Sequence, residues 1–147
     1  MFGPIGKYHE LSIGRSTRIA DLDFLPVAVE HRVPAVGFVI SDESSAIALS
    51  GDTAEMNAFW DAVNEVGDLS ALFLECALPD EMEELARASC HMTPLRLGNE
   101  LRKFQHSDCP IYAINLKPIY RDRTIDQLMA LNDPRIRVLD VGMTYEF

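Results

Sequence analysis

The segment that most limits the possible folds of this chain is ALFLECAL, residues 71–78. A continuous apolar run of this length is typical of a strand that is buried on both faces of a sheet. Strand and helix patterns alternate along the second half of the chain, which indicates a sheet covered by helices. The sequence therefore predicts an α/β protein.

The residues before this segment predict an antiparallel meander. Four stretches have the alternation and the turn residues of strands, namely KYHELSIG, IADLDFLPVAVEH, AVGFVI and AIALS. From Ala54 the period changes, because Met56, Phe59, Trp60 and Val63 lie at helical spacing. We expect a helix there with one face turned toward the core.

The later half predicts two capped helices. Asp80 and Glu83 have the spacing of a capping box, and Thr93 is the expected N-cap of the following helix. The remaining predicted elements are a strand at 110–116, a helix at 124–131 and a closing strand or hairpin at 136–147.

Composition narrows the function. The 147 residues are 48% hydrophobic, which is enough for a single domain spanning 1–147. A formal net charge of −10 disfavours nucleic-acid binding, because little positive charge can displace counterions. The N-terminal residues lack the apolar core of a signal peptide, and no run reaches membrane-spanning length. The three cysteines lack zinc-site spacing and indicate reduced thiols, so we expect a soluble cytoplasmic protein.

Asp52 has two candidate roles. It lies between a predicted strand and a predicted helix, and its spacing to Glu55 fits a capping box. A helix cap is the favoured interpretation of Asp52 taken alone, because a metal ligand requires partners. Strand ends beside helix starts are nevertheless where α/β proteins gather functional groups, and a carboxylate is a good ligand for divalent metals.

Glu75 and His91 also have two interpretations each. Glu75 interrupts the apolar run, so it lies either at an exposed strand end or in a functional site that tunes its pKa. His91 precedes the predicted cap Thr93, where free backbone N–H groups favour an anion such as phosphate. It is either a proton donor to a leaving oxygen or a loop histidine with a structural hydrogen bond, and alone the second is favoured. His31 and His106 are expected in loops or at strand edges rather than as ligands.

Five segments between His31 and Phe147 form a joint pattern. They are VEHRVPAVGFVIS, SGDTAEMNAFWDAVNEVGDLSALFLECALPDEMEELARASCHMTP, LGNELRKF, IYAINLKPIYRD and LNDPRIRVLDVGMTYEF. In this order they resemble the later part of the class II cyclic-nucleotide phosphodiesterases, which are hydrolases of the metallo-β-lactamase fold. The resemblance implies an α/β fold that forms half of a metallo-β-lactamase-like αββα sandwich.

The resemblance also implies site residues and a cofactor. Members of that family use two divalent metal ions to activate a water that attacks the cyclic phosphodiester, which implies Zn²⁺ or Mn²⁺ here. Asp52 matches the aspartate that bridges the two metals. Glu75 and His91 match a glutamate–histidine pair that assists proton transfer in related phosphodiesterases.

Two departures from the family pattern affect the metal site. The early H-x-H-x-D-H motif of the family is absent, because the histidines of this sequence are His9, His31, His91 and His106. In IYAINLKP, Asn115 stands where the family pattern has a late metal-binding histidine, and an amide oxygen is a poorer zinc ligand than imidazole. The isolated chain is therefore expected to be inactive, with most metal ligands missing.

Two functions remain open. In the first, the chain is a metal-dependent 3′,5′-cyclic-nucleotide phosphodiesterase, acting on cAMP or cGMP, that needs a complementing chain with the N-terminal half. In the second, it holds no metal and acts as a non-catalytic binding or regulatory module, with a homodimer covering the apolar sheet face that the other half would bury. A Cys-dependent function has the least support, because adjacent side chains such as Cys90 and His91 seldom touch.

Overall fold

A computed structural model describes residues 8–140 and 142–147, which form one seven-stranded sheet with four α-helices. The strands are β1 Thr17–Ile19, β2 Leu22–Ala28, β3 Val36–Ser41, β4 Ala46–Leu49, β5 Leu69–Glu75, β6 Ile111–Ile114 and β7 Ile136–Val138. The helices are α1 Asn57–Asn64, α2 Glu83–Ser89, α3 Pro94–Glu100 and α4 Arg121–Ala130. The predicted α/β fold class is confirmed. No helix within these residues is long and apolar enough to cross a membrane.

The strands lie in the sheet in the order in which they occur in the chain. Strands β1 to β4 pair antiparallel, as the meander predicted, and β4 to β7 pair parallel. Since β2 and β4 are both antiparallel to β3, they run in the same direction. The carboxyl ends of β2, β4, β5 and β6 therefore lie along one edge of the sheet.

Both faces of β5 are buried, as the run ALFLECAL predicted. On the helix-covered face, Leu72 and Leu74 join the main core with Phe59 and Trp60 of α1. The opposite face, which we call the second sheet face, is formed by Ala71, Phe73, Tyr112, Ile47, Leu49, Ile114 and Leu139. Phe147 covers part of it, since its ring lies 5.2 Å from that of Phe73 and 5.3 Å from that of Tyr112, centroid to centroid.

The helix-cap interpretation of Asp52 is wrong. Helix α1 begins at Asn57, its N-cap is Met56, and no side chain caps it. The residues after β4 instead form a loop, in which the N–H of Ala54 donates to the carbonyl oxygen of Glu30 at 2.7 Å. Because this long-range bond holds the loop open, Asp52 stays at the strand end and does not reach the helix.

Three other local predictions have mixed outcomes. KYHELSIG forms no strand at residues 8–14, while Lys7 lies outside the described residues. Asp80 does not cap α2, because its Oδ1 accepts from the N–H of Leu95 in α3 at 2.8 Å. Thr93 is the N-cap of α3, as predicted, with Oγ1 accepting from the N–H of Arg96 at 3.5 Å. After β7, residues 139–140 and 142–147 form no second strand, which leaves the single closing strand.

Candidate functional site

Four polar side chains meet at the sheet edge where β2, β4, β5 and β6 end. His31 follows β2, Asp52 follows β4, Glu75 is the last residue of β5, and Asn115 follows β6. His91 joins them from the loop between α2 and α3. One ligand atom from each of His31, Asp52 and His91 lies within 4.8 Å of the others. Such a strand edge is the usual place for a site in an α/β protein.

The backbone around Asp52 depends on the preceding glycine. Gly51 has a φ of +64°, and a Cβ on it would lie 2.9 Å from the carbonyl oxygen of Val36. Only glycine fits such a position without strain. The Gly-Asp pair therefore lets the chain turn sharply after β4 and leaves the Asp52 carboxylate exposed at the edge.

Each of the two histidines of the cluster, His31 and His91, is held through its own Nδ1 atom. His31 donates from Nδ1 to the carbonyl oxygen of Cys90 at 3.1 Å. His91 Nδ1 lies 2.5 Å from Oε1 of Glu75, and the two imidazole centroids are 5.0 Å apart. Metal-binding histidines are commonly held in this way, with a carbonyl or a carboxylate at the nitrogen that does not bind the metal. Nε2 of each ring is thus left to bind a metal or carry a proton.

Glu75 is fully buried, so the interpretation that it lies at an exposed strand end is wrong. Its Oε2 accepts from the N–H of Met92 at 2.8 Å, and its own N–H donates to Oγ of Ser50 at 3.0 Å. Burial raises the pKa of Glu75 to about 8 and lowers the pKa of His91. Both shifts favour the neutral forms. At neutral pH a protonated Glu75 donates to Nδ1, and His91 keeps a proton on Nε2.

Asn115 connects the two carboxylates of the site. Its Nδ2 donates to Oδ1 of Asp52 at 2.8 Å and to Oε1 of Glu75 at 3.5 Å. Its Oδ1 accepts from Nζ of Lys117 at 3.1 Å. Asn115 has a φ of +62°, a left-handed conformation that asparagine tolerates better than most residues.

The donor set fits one divalent metal better than two. His31 Nε2 and the Asp52 carboxylate are ligands that zinc accepts, and His91 Nε2 could become a third ligand only after losing its proton. Asn115 does not extend this set, because its amide directs an N–H toward Asp52 and its oxygen toward Lys117. The described residues therefore offer no ligand at the position of the late histidine.

A buried arginine braces the loops that carry Asp52 and His91. Arg96 donates from Nη1 to the carbonyl oxygen of His91 at 2.8 Å and from Nη2 to Oε1 of Glu55 at 3.0 Å. Its side chain is 8% exposed, whereas that of Glu55 is 60% exposed. The brace links two loops that are far apart in the sequence, and each Nη atom of its guanidinium has one protein partner.

The structure brings together all four residues that the sequence singled out, Asp52, Glu75, His91 and Asn115. It also adds His31, which lies in a loop as expected but is part of the cluster rather than apart from it. The signal for His31 was its place just after β2, which becomes meaningful only once the strand order is known. His106 is separate, with Nε2 hydrogen-bonded to the carbonyl oxygen of Val63 at 3.1 Å.

The fold and the site together define the class of protein. It is an α/β protein with a candidate metal site, formed by a His-Asp-His cluster and a buried glutamate, at the carboxyl edge of its sheet. The chain belongs to the family described as the Beta-lactamase superfamily domain, whose model matches residues 4–113. No curated protein matches its sequence.

Three solved structures share the fold. The metallo-beta-lactamase fold protein YhfI from Bacillus subtilis is 13% identical with a TM-score of 0.76, and the match covers 93% of this chain and 54% of that one. Igni18, a metallo hydrolase from Ignicoccus hospitalis, is 14% identical with a TM-score of 0.65, covering 93% and 60%. Zn²⁺-bound PqqB from Methylobacterium extorquens is 12% identical with a TM-score of 0.55, covering 93% and 51%.

These similarities establish the fold as metallo-β-lactamase-like. The chain spans between 51% and 60% of the length of the three structures. What those proteins do as wholes is therefore a source of hypotheses for this chain.

Proposed function

We propose that the chain is one half of a metal-dependent phosphodiester hydrolase with a 3′,5′-cyclic nucleotide as substrate. The observation that carries this proposal is the convergence of His31, Asp52 and His91, with Glu75 buried behind His91. The resemblance of residues 31–147 to class II cyclic-nucleotide phosphodiesterases supports the substrate class. The free thiols Cys76, Cys90 and Cys109 support a reducing compartment such as the cytoplasm.

His31 and Asp52 hold the metal in this proposal. A divalent ion such as Zn²⁺ or Mn²⁺ supplies Lewis-acid activation of a phosphoryl oxygen when it is bound. The hydrogen bond from His31 Nδ1 to the carbonyl oxygen of Cys90 orients Nε2 toward Asp52. Asp52 is exposed, so its carboxylate is accessible to an ion from solvent.

The Glu75–His91 pair supplies the proton for the leaving oxygen. With the pKa of Glu75 at about 8, the pair is neutral near pH 7 and keeps a proton on His91 Nε2. When Nε2 gives this proton to the leaving oxygen, Glu75 passes its own proton from Oε1 to Nδ1 and becomes a carboxylate. A positioned proton donor contributes about 10²- to 10⁴-fold to rate.

The further ligands come from a complementing chain that carries the H-x-H-x-D-H motif. Side chains alternate along β5, so Glu75 has the same orientation as Phe73 of the second sheet face. The site thus opens toward the face that the helices of this chain leave uncovered. A second half docked on that face would bring its histidines next to Asp52.

Reconstitution tests the proposal. The purified chain is mixed with a chain that carries H-x-H-x-D-H in excess Zn²⁺ or Mn²⁺, and hydrolysis of cAMP and cGMP is followed. We expect activity only in the mixture, and we expect Asp52→Asn to abolish it. Asp61→Asn, the same charge change at an exposed position of α1, is the matched control and keeps the activity. An inactive mixture would contradict the proposal.

A second candidate function is a non-catalytic dimeric module. The observation that favours it is the hydrogen bond from Asn115 to Asp52, which engages the carboxylate at the family's bridging position. A second copy would then cover the second sheet face. Sedimentation and metal analysis separate the two candidates, since a stable metal-free dimer supports the module and a monomer with stoichiometric zinc contradicts it.

A further inference from the structure

Lys117 lies next to the cluster, two residues after Asn115. Its backbone N–H donates to the carbonyl oxygen of Ala77 at 3.1 Å, and its Nζ donates to Oδ1 of Asn115 at 3.1 Å. The side chain is half-buried. These contacts hold the ammonium at the edge of the site, whereas the side chain of a fully exposed lysine would move freely.

The ammonium of Lys117 has spare hydrogen-bond donors. Among the described residues Lys117 makes no ion pair, whereas Lys103 is paired with Glu100 at 2.6 Å. An ammonium has three N–H groups, and Asn115 accepts from one of them. Burial is the main cause of the raised pKa of Glu75 and of the lowered pKa of His91. The charge of Lys117 is a smaller cause that lowers both pKa values. The positive charge therefore acts on both members of the pair.

A phosphate ester needs such a charge at this site. The chain has a formal net charge of −10, and the carboxylate of Asp52 repels an anion unless a metal ion offsets its charge. Arg96 does not offset this repulsion, because its Nη atoms are bound to His91 and Glu55. Lys117 lies beside the cluster, and Asn115 is the one acceptor that its ammonium has within the described residues.

We propose that Lys117 binds an anionic phosphoryl oxygen of the substrate and that, together with Asn115, it takes the place of a second metal ion. This inference rests on the proposed function, because it assumes that a phosphate ester occupies the site. The site then combines one metal on the His31–Asp52 side with one ammonium on the Asn115 side. The ligand class is a phosphate monoanion or dianion with its oxygen within hydrogen-bond distance of Nζ.

Inorganic phosphate is the probe for the test. The sequence has three lysines, Lys7, Lys103 and Lys117, so their Cε atoms can be followed separately by NMR after labelling with [6-¹³C]lysine. The full chain is titrated with phosphate, with and without one equivalent of Zn²⁺. Loss of a signal in Lys117→Met assigns that signal, and Lys103 is the internal control. Arg102→Met removes the same charge from an exposed position and is the matched variant.

We expect a saturable shift of the Lys117 signal and none of the Lys103 signal. The phosphate Kd should be about tenfold weaker or more in Lys117→Met, since a hydrogen bond to a charged group is lost. It should stay near the wild-type value in Arg102→Met and in Lys117→Arg. Equal Kd values for the wild type and Lys117→Met would overturn the inference, and so would absence of phosphate binding in both metal states.

Zinc bound to the same samples is measured separately after desalting, which keeps the two proposals distinguishable. Phosphate binding through Lys117 in a chain that binds no zinc would leave this inference standing and contradict the proposed function. Zinc binding without any effect of Lys117 on phosphate would overturn this inference alone.

Discussion

Asn115 donates from Nδ2 to Oδ1 of Asp52 at 2.8 Å, which joins the loop after β6 to the loop after β4. In the class II phosphodiesterases that this chain resembles, a histidine stands at the position of Asn115 and a bridging aspartate at that of Asp52. Here the residue at the histidine position instead presents an N–H group to the carboxylate. A carboxylate that accepts this bond has less capacity to bind an ion. We therefore expect this hydrogen bond to weaken any metal binding at Asp52.

Restoring the histidine should strengthen metal binding. Histidine is among the residues that tolerate a positive φ, so Asn115→His is compatible with the φ of +62° at this position. An imidazole there adds a ligand and releases Asp52, and we expect zinc affinity to rise about tenfold or more. Competition with a chromophoric chelator measures this. Asn115→Ala releases Asp52 without adding a ligand, so equal affinities in the two variants would rule out a ligand role for residue 115.

The role of His91 can be separated from that of Asp52. As a proton donor, His91 can be replaced by alanine with zinc affinity kept within about threefold, whereas Asp52→Asn should weaken zinc binding about tenfold or more. In the reconstituted mixture, His91→Ala should slow hydrolysis of the cyclic nucleotide about 100-fold or more. A nitrophenyl phosphodiester should be affected less, because its leaving group needs no proton. A large loss of zinc affinity in His91→Ala would instead make His91 a third ligand.

The buried Glu75 should make the stability of the chain depend on pH. Burial raises its pKa from the usual 4.5 to about 8, so the stabilisation from its protonated form is complete below pH 4.5 and is lost as the pH rises to about 8. Within that window the free energy of unfolding should fall by about 1 kcal/mol per pH unit. His91, whose pKa burial lowers from 6.5, costs stability only as the pH falls below that value. The interval from pH 6.5 to 8 therefore reports on Glu75.

Urea unfolding at several pH values in this interval measures the effect. Glu75→Gln cannot ionise, so its free energy of unfolding should stay level where that of the wild type falls. Glu65→Gln, at an exposed position after α1, is the matched control and should keep the wild-type slope. A slope that survives in Glu75→Gln would assign the pH dependence to another group.

Gly51 should be the least replaceable glycine near the site. In Gly51→Ala the new Cβ would lie 2.9 Å from the carbonyl oxygen of Val36, at a φ of +64°. We expect a loss of about 1–3 kcal/mol in the free energy of unfolding, seen as a lower Tm. Gly67→Ala is the control, because a Cβ at Gly67 meets nothing within 4 Å, and it should change stability by less than about 1 kcal/mol. Equal losses would show that the turn at Gly51 tolerates a side chain.

Features set by neighbours in the sequence were predictable. The two buried faces of β5, the apolar stripe of α1 and the cap at Thr93 each depend on residues a few positions apart, and all three are confirmed. The prediction that Asp52 caps α1 was wrong for the opposite reason. Its loop is held by a bond between Ala54 and Glu30, which are distant in the sequence, so local spacing carries no trace of it.

The site was predictable as a set of residues but not as a geometry. Glu75 is odd within an apolar run, and Asp52 precedes a helix pattern, so both stand out in the sequence. Their relationship to His31 depends on β2 and β4 running in the same direction, which no single segment encodes. The contact between His31 and Cys90, 59 residues apart, likewise exists only after the sheet has formed.

The strand order of this sheet affects how the protein is made. Each of the described strands β2 to β7 pairs with the one before it in the chain, so a nascent polypeptide leaving the ribosome can add each of them to an edge that already exists. None of these seven strands needs a later strand to be inserted between it and the strand before it. Asn115 and Lys117 come after β6, however, and they arrive when most of the sheet has been synthesised. A chain that stalls before Ile111 would thus contain His31, Asp52 and His91 and lack Asn115 and Lys117.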